Sequence, residues 1–150
     1  MRLAPVRVAV LAATLALAFV GCGDGDDNEF RDDYDAVSRD VNDVGEDVAE
    51  VLQAVEGKSG AQLAGQFRRH ANELADLNAT LSKLEPPSDL EEDVEDLEAA
   101  IDDVGKSLLD IAEGVERSDS RATRAATLDL IQRGERLDKV EQRVRGEASE

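Results

Sequence analysis

The chain has one cysteine, one histidine, one methionine, one tyrosine and no tryptophan in its 150 residues. Those shortages exclude several kinds of chemistry. Met1 is the single thioether and His70 the single imidazole, so haem ligation through Cys-x-x-Cys-His or a Met/His pair has no residues to use. A di-iron centre needs paired Glu-x-x-His motifs, whereas His70-Ala71-Asn72-Glu73 runs in the reverse order and occurs once. No nucleophile–base pair is recognisable. No catalytic residue, no cofactor and no metal centre is therefore assigned, and the protein is expected not to be an enzyme. Beyond the first twenty-one residues the aromatics are Phe30, Tyr34 and Phe67 alone, which argues against sugar or quaternary-ammonium sites built by ring stacking. Asp24, Asp26 and Asn28 have the spacing of an EF-hand. However, Glu29 stands where the turn needs glycine and Asp35 where a bidentate Glu belongs, so the stretch reads as an acidic spacer.

What is present begins at the N-terminus. Arg2 and Arg7 form a basic segment without acids, Val8 to Val20 is an uncharged apolar run with Thr14 its one polar residue, and Gly21 is a small residue ahead of the lone Cys22. The apolar run is about thirteen residues, short of the ~20 needed to span a bilayer as a helix. It has the proportions of a secretion signal. Exported proteins use cysteine mainly in pairs, so a single thiol directly behind such a run calls for another role. The segment Phe19-Val20-Gly21-Cys22 resembles the lipobox of bacterial lipoproteins, with Phe19 where leucine is usual. The resemblance implies that residues 1–21 are removed. It also implies that Cys22 carries a thioether-linked diacylglycerol and becomes the new N-terminus, and that the chain is tethered on the extracytoplasmic face of the cell membrane. The Ala-, Val-, Asp- and Arg-rich composition is similar to that of small helical lipoproteins of high-GC Gram-positive bacteria. Residues 22–28 then form the lipidated cysteine and a flexible acidic linker.

The segment before Cys22 holds two of the seventeen basic residues and none of the thirty-five acidic ones, so the remainder carries a net charge of −20, against −18 for the whole chain. A domain of that charge repels nucleic acid and an anionic lipid surface alike. The expected partners are the membrane, through Cys22, and an envelope protein.

The apolar residues fall into four heptad seams. The first runs Phe30, Tyr34, Val37, Val41, Val44, Val48, Val51, Val55. The second is Leu63, Phe67, His70, Leu74, Leu77, Leu81, Leu84. The third is Leu90, Val94, Leu97, Ile101, Val104, Leu108, Ile111, Val115. The fourth, weaker, is Thr123, Ala126, Leu130, Arg133, Leu137, Val140, Val144. Alternating steps of three and four give the 3.5-residue period of coiled-coil packing, and no strand-like alternation appears. Gly57-Lys58-Ser59-Gly60, Pro86-Pro87 and Ser118-Asp119-Ser120 break the pattern. Ser59 with Gln62, and Ser88 with Glu91, read as capping boxes. These signals predict an all-α domain over 29–146: an antiparallel up-down-up-down four-helix bundle with helices at about 29–57, 60–85, 88–117 and 120–146. A long helical hairpin that dimerises is the structural alternative. Charge favours the bundle. Residues 24–57 carry thirteen acids and two bases, 58–84 two acids and four bases, 85–120 fourteen acids and two bases, and 121–150 six acids and seven bases. Acidic and mildly basic helices thus alternate.

Two seam positions are polar, His70 and Arg133. Folding the seams at their turns brings both level with Val48 and Val104, beside Gly105 and Gly134, with Asp47, Asp102 and Asp103 as the nearest carboxylates. Such a layer fixes register or holds a small anion. The function expected is that of a lipid-anchored interaction or envelope-structural protein. The alternative is a ligand- or metal-binding sensor or transport accessory that uses the His70/Arg133 layer or the acidic faces.

Overall fold

The structure is a computed structural model that describes residues 26–147; residues 1–21 and Cys22 lie outside the described residues. The described residues form four helices: α1, Asp26–Gln53; α2, Gly60–Leu81; α3, Glu91–Glu116; and α4, Ser120–Glu147. No strand occurs among the described residues. The helices pack on their sequence neighbours around one apolar core, as in a four-helix bundle. α1 begins at Asp26, so helix extends into the stretch expected to be linker.

The predicted seams supply the core. Phe30, Tyr34 and five valines from Val37 to Val51 are buried on α1; Phe67, His70, Leu74 and Leu81 on α2; Val94 to Ile111 on α3; and Leu130, Leu137, Val140 and Val144 on α4. Val55 departs from its seam and is 45% exposed. α1 ends at Gln53, the Ala54 amide makes a last bond to Glu50, and the chain reverses through Gly57 at φ 80°. A left-handed residue there favours glycine.

The ends of the helices explain where boundaries differ from expectation. At α2 the Ser59 hydroxyl accepts from the Gln62 amide and the Gln62 side chain accepts from the Ser59 amide, so the capping box forms. α2 stops at Leu81, four residues before the expected end, and the chain tightens into bonds from Lys83 to Thr80 and Leu84 to Leu81 ahead of Pro86-Pro87. The second expected capping box does not form. The Leu90 amide bonds the Pro87 carbonyl, so Ser88 lies inside a turn, and α3 starts at Glu91 with no side-chain cap. Glu91, Glu92 and Asp93 in its first turn complement the helix dipole instead.

The α3–α4 turn is the tightest. Ser118 adopts φ 55°, its amide bonds Val115, and the Asp119 amide bonds Gly114, which together make a Schellman closure. The Asp119 carboxylate then accepts from the Arg121 and Ala122 amides, capping α4. Here α4 comes so close that a Cβ on Gly114 would lie 2.7 Å from Thr123 Oγ1 and 2.9 Å from its backbone nitrogen.

Carboxylates of α3 gather the basic residues of both neighbours. Arg68, early in α2, pairs with Glu116 at the end of α3, while Asn78, late in α2, donates to the Glu98 carbonyl and to Asp102. On the other side Asp103 takes Arg133 and Arg136, and Asp96 and Asp93 take Arg143. Each exposed pair contributes ~0.2–1 kcal/mol, so together they set register more than stability.

Candidate functional site

His70 sits on α2 as a seam residue and is 7% exposed. Its Nδ1 is 2.8 Å from Glu73 Oε2, one turn further along the same helix. It lines a groove of about 220 Å³ between α1 and α2, together with Asp47 and Glu50 of α1, Lys58 of the connecting loop, and Gln66 and Arg69 of α2. Lys58 Nζ donates to Gln66 Oε1 at 3.1 Å. Asp47, expected beside His70 from register, does face the same groove.

Arg133 lies at the α3–α4 interface, with its side chain 25% exposed. Nε donates to Asp129 Oδ2 at 2.7 Å, and Nη1 to the Asp103 carboxylate and, at 3.2 Å, to the Asp103 carbonyl. Asp129 also accepts from Ser107 Oγ at 2.9 Å. The guanidinium is thus satisfied by carboxylates of α3 and α4 while its stem covers the seam. Among the described residues no hydrogen bond or ion pair joins His70 to Arg133. Each has its own acidic partners. Asp102, the third expected carboxylate, accepts from Asn78 at 2.8 Å. Gly105 is buried, and a Cβ there would make an ordinary 3.8 Å contact with the Ala71 carbonyl, whereas one on Gly134 would meet nothing within 4 Å.

A polar cluster that the seam pattern does not reveal joins α1 to α4. Glu141 is 7% exposed and Ser38 4% exposed. The Ser38 hydroxyl donates to Glu141 Oε1, and Asn42 Nδ2 donates to the same oxygen at 3.0 Å and to the Ser38 carbonyl at 2.8 Å. Arg145 Nη2 donates to Glu141 Oε1 and to Ser38 Oγ, each at 2.8 Å. Tyr34 points its hydroxyl at the Glu141 carbonyl, 3.4 Å away, and its ring stacks on Phe30 at 5.8 Å. Burial first, and then the nearby Glu141 charge, push the Tyr34 phenol well above the ordinary tyrosine range. The signal for this cluster is in the sequence, though it is not apolar. Tyr34, Ser38 and Asn42 recur every fourth residue along α1, and Glu141 and Arg145 stand one turn apart beside Val140 and Val144.

Elsewhere the acids of α3 crowd one another. Partial burial, then Glu95 and Asp102, raise the Glu98 carboxyl above its ordinary value. A groove of about 410 Å³ between α3 and α4 is lined by Gly114, Ala122, Ala125 and Ala126 together with Asp110, Glu113, Arg117 and Asp129. Among the described residues no group of three or more His, Cys, Asp or Glu side chains is placed to hold a metal ion, and no helix is long and apolar enough to cross a membrane. No protein-family model matches the chain, nor does any curated protein or solved structure.

Proposed function

We propose that this chain is a lipid-anchored, extracytoplasmic bundle, with its helices arranged up-down-up-down, that serves a non-enzymatic interaction or envelope-structural role. The observation that carries the reading is Cys22, the only cysteine, directly behind the Val8–Val20 apolar run and Gly21. Lipidation of that thiol explains both its position and its solitude. Two acyl chains anchor a protein stably where one does so only marginally. The alternating direction of the helices is supported by the cross-helix bonds. Arg68 pairs with Glu116 while Asn78 pairs with Asp102, and Ser107 pairs with Asp129 while Arg143 pairs with Asp96.

The polar core residues support a structural role. His70, Arg133 and Glu141 each find partners within the bundle, as expected of polar side chains that fix the register of packed helices. The surface offered to a partner is then the acidic outside of α1 and α3. The alternative, a ligand-binding accessory, has its best footing in the groove of Asp47, Glu50, Lys58, Arg69 and His70, where both signs of charge surround a buried imidazole.

The test is metabolic labelling of a bacterium that makes the full chain, using a clickable fatty acid. The wild type is expected to incorporate label and to fractionate with membranes. Cys22→Ser is expected to lose both properties. Equal membrane fractionation of the two, without label, would refute the anchor. Calorimetric titration with inorganic phosphate, acetate and zinc tests the alternative. A saturable site lost in His70→Ala would favour it.

A further inference from the structure

We infer that α1 is a detachable arm, clasped onto a body formed by α2, α3 and α4 through the buried carboxylate of Glu141. Three independent observations lead there. The first is closeness of packing. α3 meets α2 and α4 through small residues, with Ala64, Ala71, Ala100, Ser107, Ala112 and Gly114 buried. α1 makes far fewer close backbone approaches to α2 than α3 makes to α2 or α4. Small residues allow backbones to approach and make many short contacts, whereas a valine and aromatic seam fills a wider gap.

The second observation concerns charge and intrinsic preference. Among the described residues no ion pair joins α1 to α2, although four arginines tie α3 to its neighbours. Residues 24–57 carry thirteen acids against two bases, so α1 is repelled by the equally acidic α3. Five of its buried residues are valine, which is less favourable in a helix than leucine or alanine. Away from the body, α1 has little to keep it helical.

The third observation is where its polar links meet. Tyr34, Ser38 and Asn42 all reach Glu141, and Arg145 closes the cluster on Ser38 and Glu141. One buried oxygen thereby accepts from Ser38, Asn42 and Arg145. Hydrogen bonds to a charged acceptor are the strong kind, and losing the acceptor leaves Ser38 buried with its donor unmet. Fastening of this sort is all-or-none. While Glu141 is engaged α1 is docked, and when it is not, the remaining attachment is the valine and aromatic seam. Sub-global opening of one helix below the free energy of full unfolding is a known behaviour of proteins, and α1 is the helix that meets its conditions. The arm does not depend on lipidation of Cys22.

Hydrogen exchange read by mass spectrometry on the full chain in detergent tests the arm. In the wild type, amides of Val37–Val51 are expected to exchange at least about tenfold faster, relative to their intrinsic rates, than those of Ile101–Ile111. Low denaturant should raise the α1 rate less steeply than the α3 rate, because detaching one helix exposes less surface than full unfolding. In Glu141→Ala the α1 amides are expected to speed up a further ~10–100-fold. The same protection and the same denaturant dependence for α1 and α3 in the wild type would overturn the inference, whether or not the variant folds. So would a Glu141→Ala protein whose α1 amides exchange no faster than those of the wild type.

Discussion

Replacing Arg133 by leucine is expected to cost almost nothing, although its guanidinium bonds both Asp129 and Asp103. The fourth seam has leucines at 130 and 137, and Arg133 interrupts them. Its side chain is 25% exposed and those of Asp103 and Asp129 are 39% and 41% exposed. Ion pairs this accessible contribute about 0.5–1 kcal/mol each, so removing both costs about 1–2 kcal/mol. Both aspartates then turn to water, and Asp103 keeps Arg136. Against that, a leucine buried in the seam gains about 1.5–2 kcal/mol, less what the arginine stem already contributes. The net change for Arg133→Leu is within about 1 kcal/mol of zero. Arg133→Ala loses the pairs and the stem together, at about 1.5–2.5 kcal/mol. For a bundle of about 120 residues the entropy of melting is about 0.25 kcal/mol/K, so the alanine variant should melt about 6–10 °C lower and the leucine variant within about 4 °C of wild type. Thermal melts by circular dichroism at moderate salt provide the comparison. If leucine proves as damaging as alanine, the charge network itself carries stability, and the reasoning from accessibility and packing is wrong.

Three further outcomes follow from the same geometry. Tyr34 keeps its proton in the folded state above the pH, about 10, at which an unfolded tyrosine loses it. The unfolded chain therefore binds fewer protons there and stability falls as pH rises beyond about 10; the check is an alkaline titration of near-ultraviolet tyrosinate absorbance, in which folded protein should lag denatured protein, and coincident curves would refute the burial. The Arg68 guanidinium holds the Glu116 carboxyl below its ordinary value, so the pair helps the fold above about pH 4 and its contribution fades as pH falls through the lowered value; the melting difference between wild type and Glu116→Gln should accordingly shrink toward zero in acid. Gly114→Ala drives a Cβ against the Thr123 backbone and should destabilise by about 1–2 kcal/mol after the helix-propensity gain, whereas Gly134→Ala, with open space around it, should stabilise by up to about 1 kcal/mol in chemical denaturation.

How much of this was legible in the sequence depends on which force placed each residue. The seams were readable because burial of apolar side chains drives folding more strongly than any other force and repeats with the helix. Phe30, Leu74, Ile101 and Leu137 all lie in the core as the spacing predicts. The Ser59–Gln62 box was readable because both of its bonds are local. Ser88–Glu91 has the same pattern and fails, because Pro87 accepts the Leu90 amide and makes a turn of the residues that would have capped the helix. Val55 fails for a related reason, since a helix stop two residues earlier outweighs the period. At the candidate site, register placed Asp47 at the His70 groove and Asp103 on Arg133. It did not indicate that each polar residue would be satisfied on a different side of the bundle. The Glu141 clasp escaped because a buried glutamate breaks the apolar pattern by which cores are recognised. Only the docking of α1 on α4 brings its donors within reach.

The claim on which the functional account rests is the chemistry of Cys22, and intact-mass spectrometry of the mature protein tests it most directly. The account predicts a chain that begins at Cys22, carries a diacylglyceryl group on its sulfur, and loses that added mass in Cys22→Ser. A chain that retains Met1, or one with Cys22 as a free thiol, would contradict it.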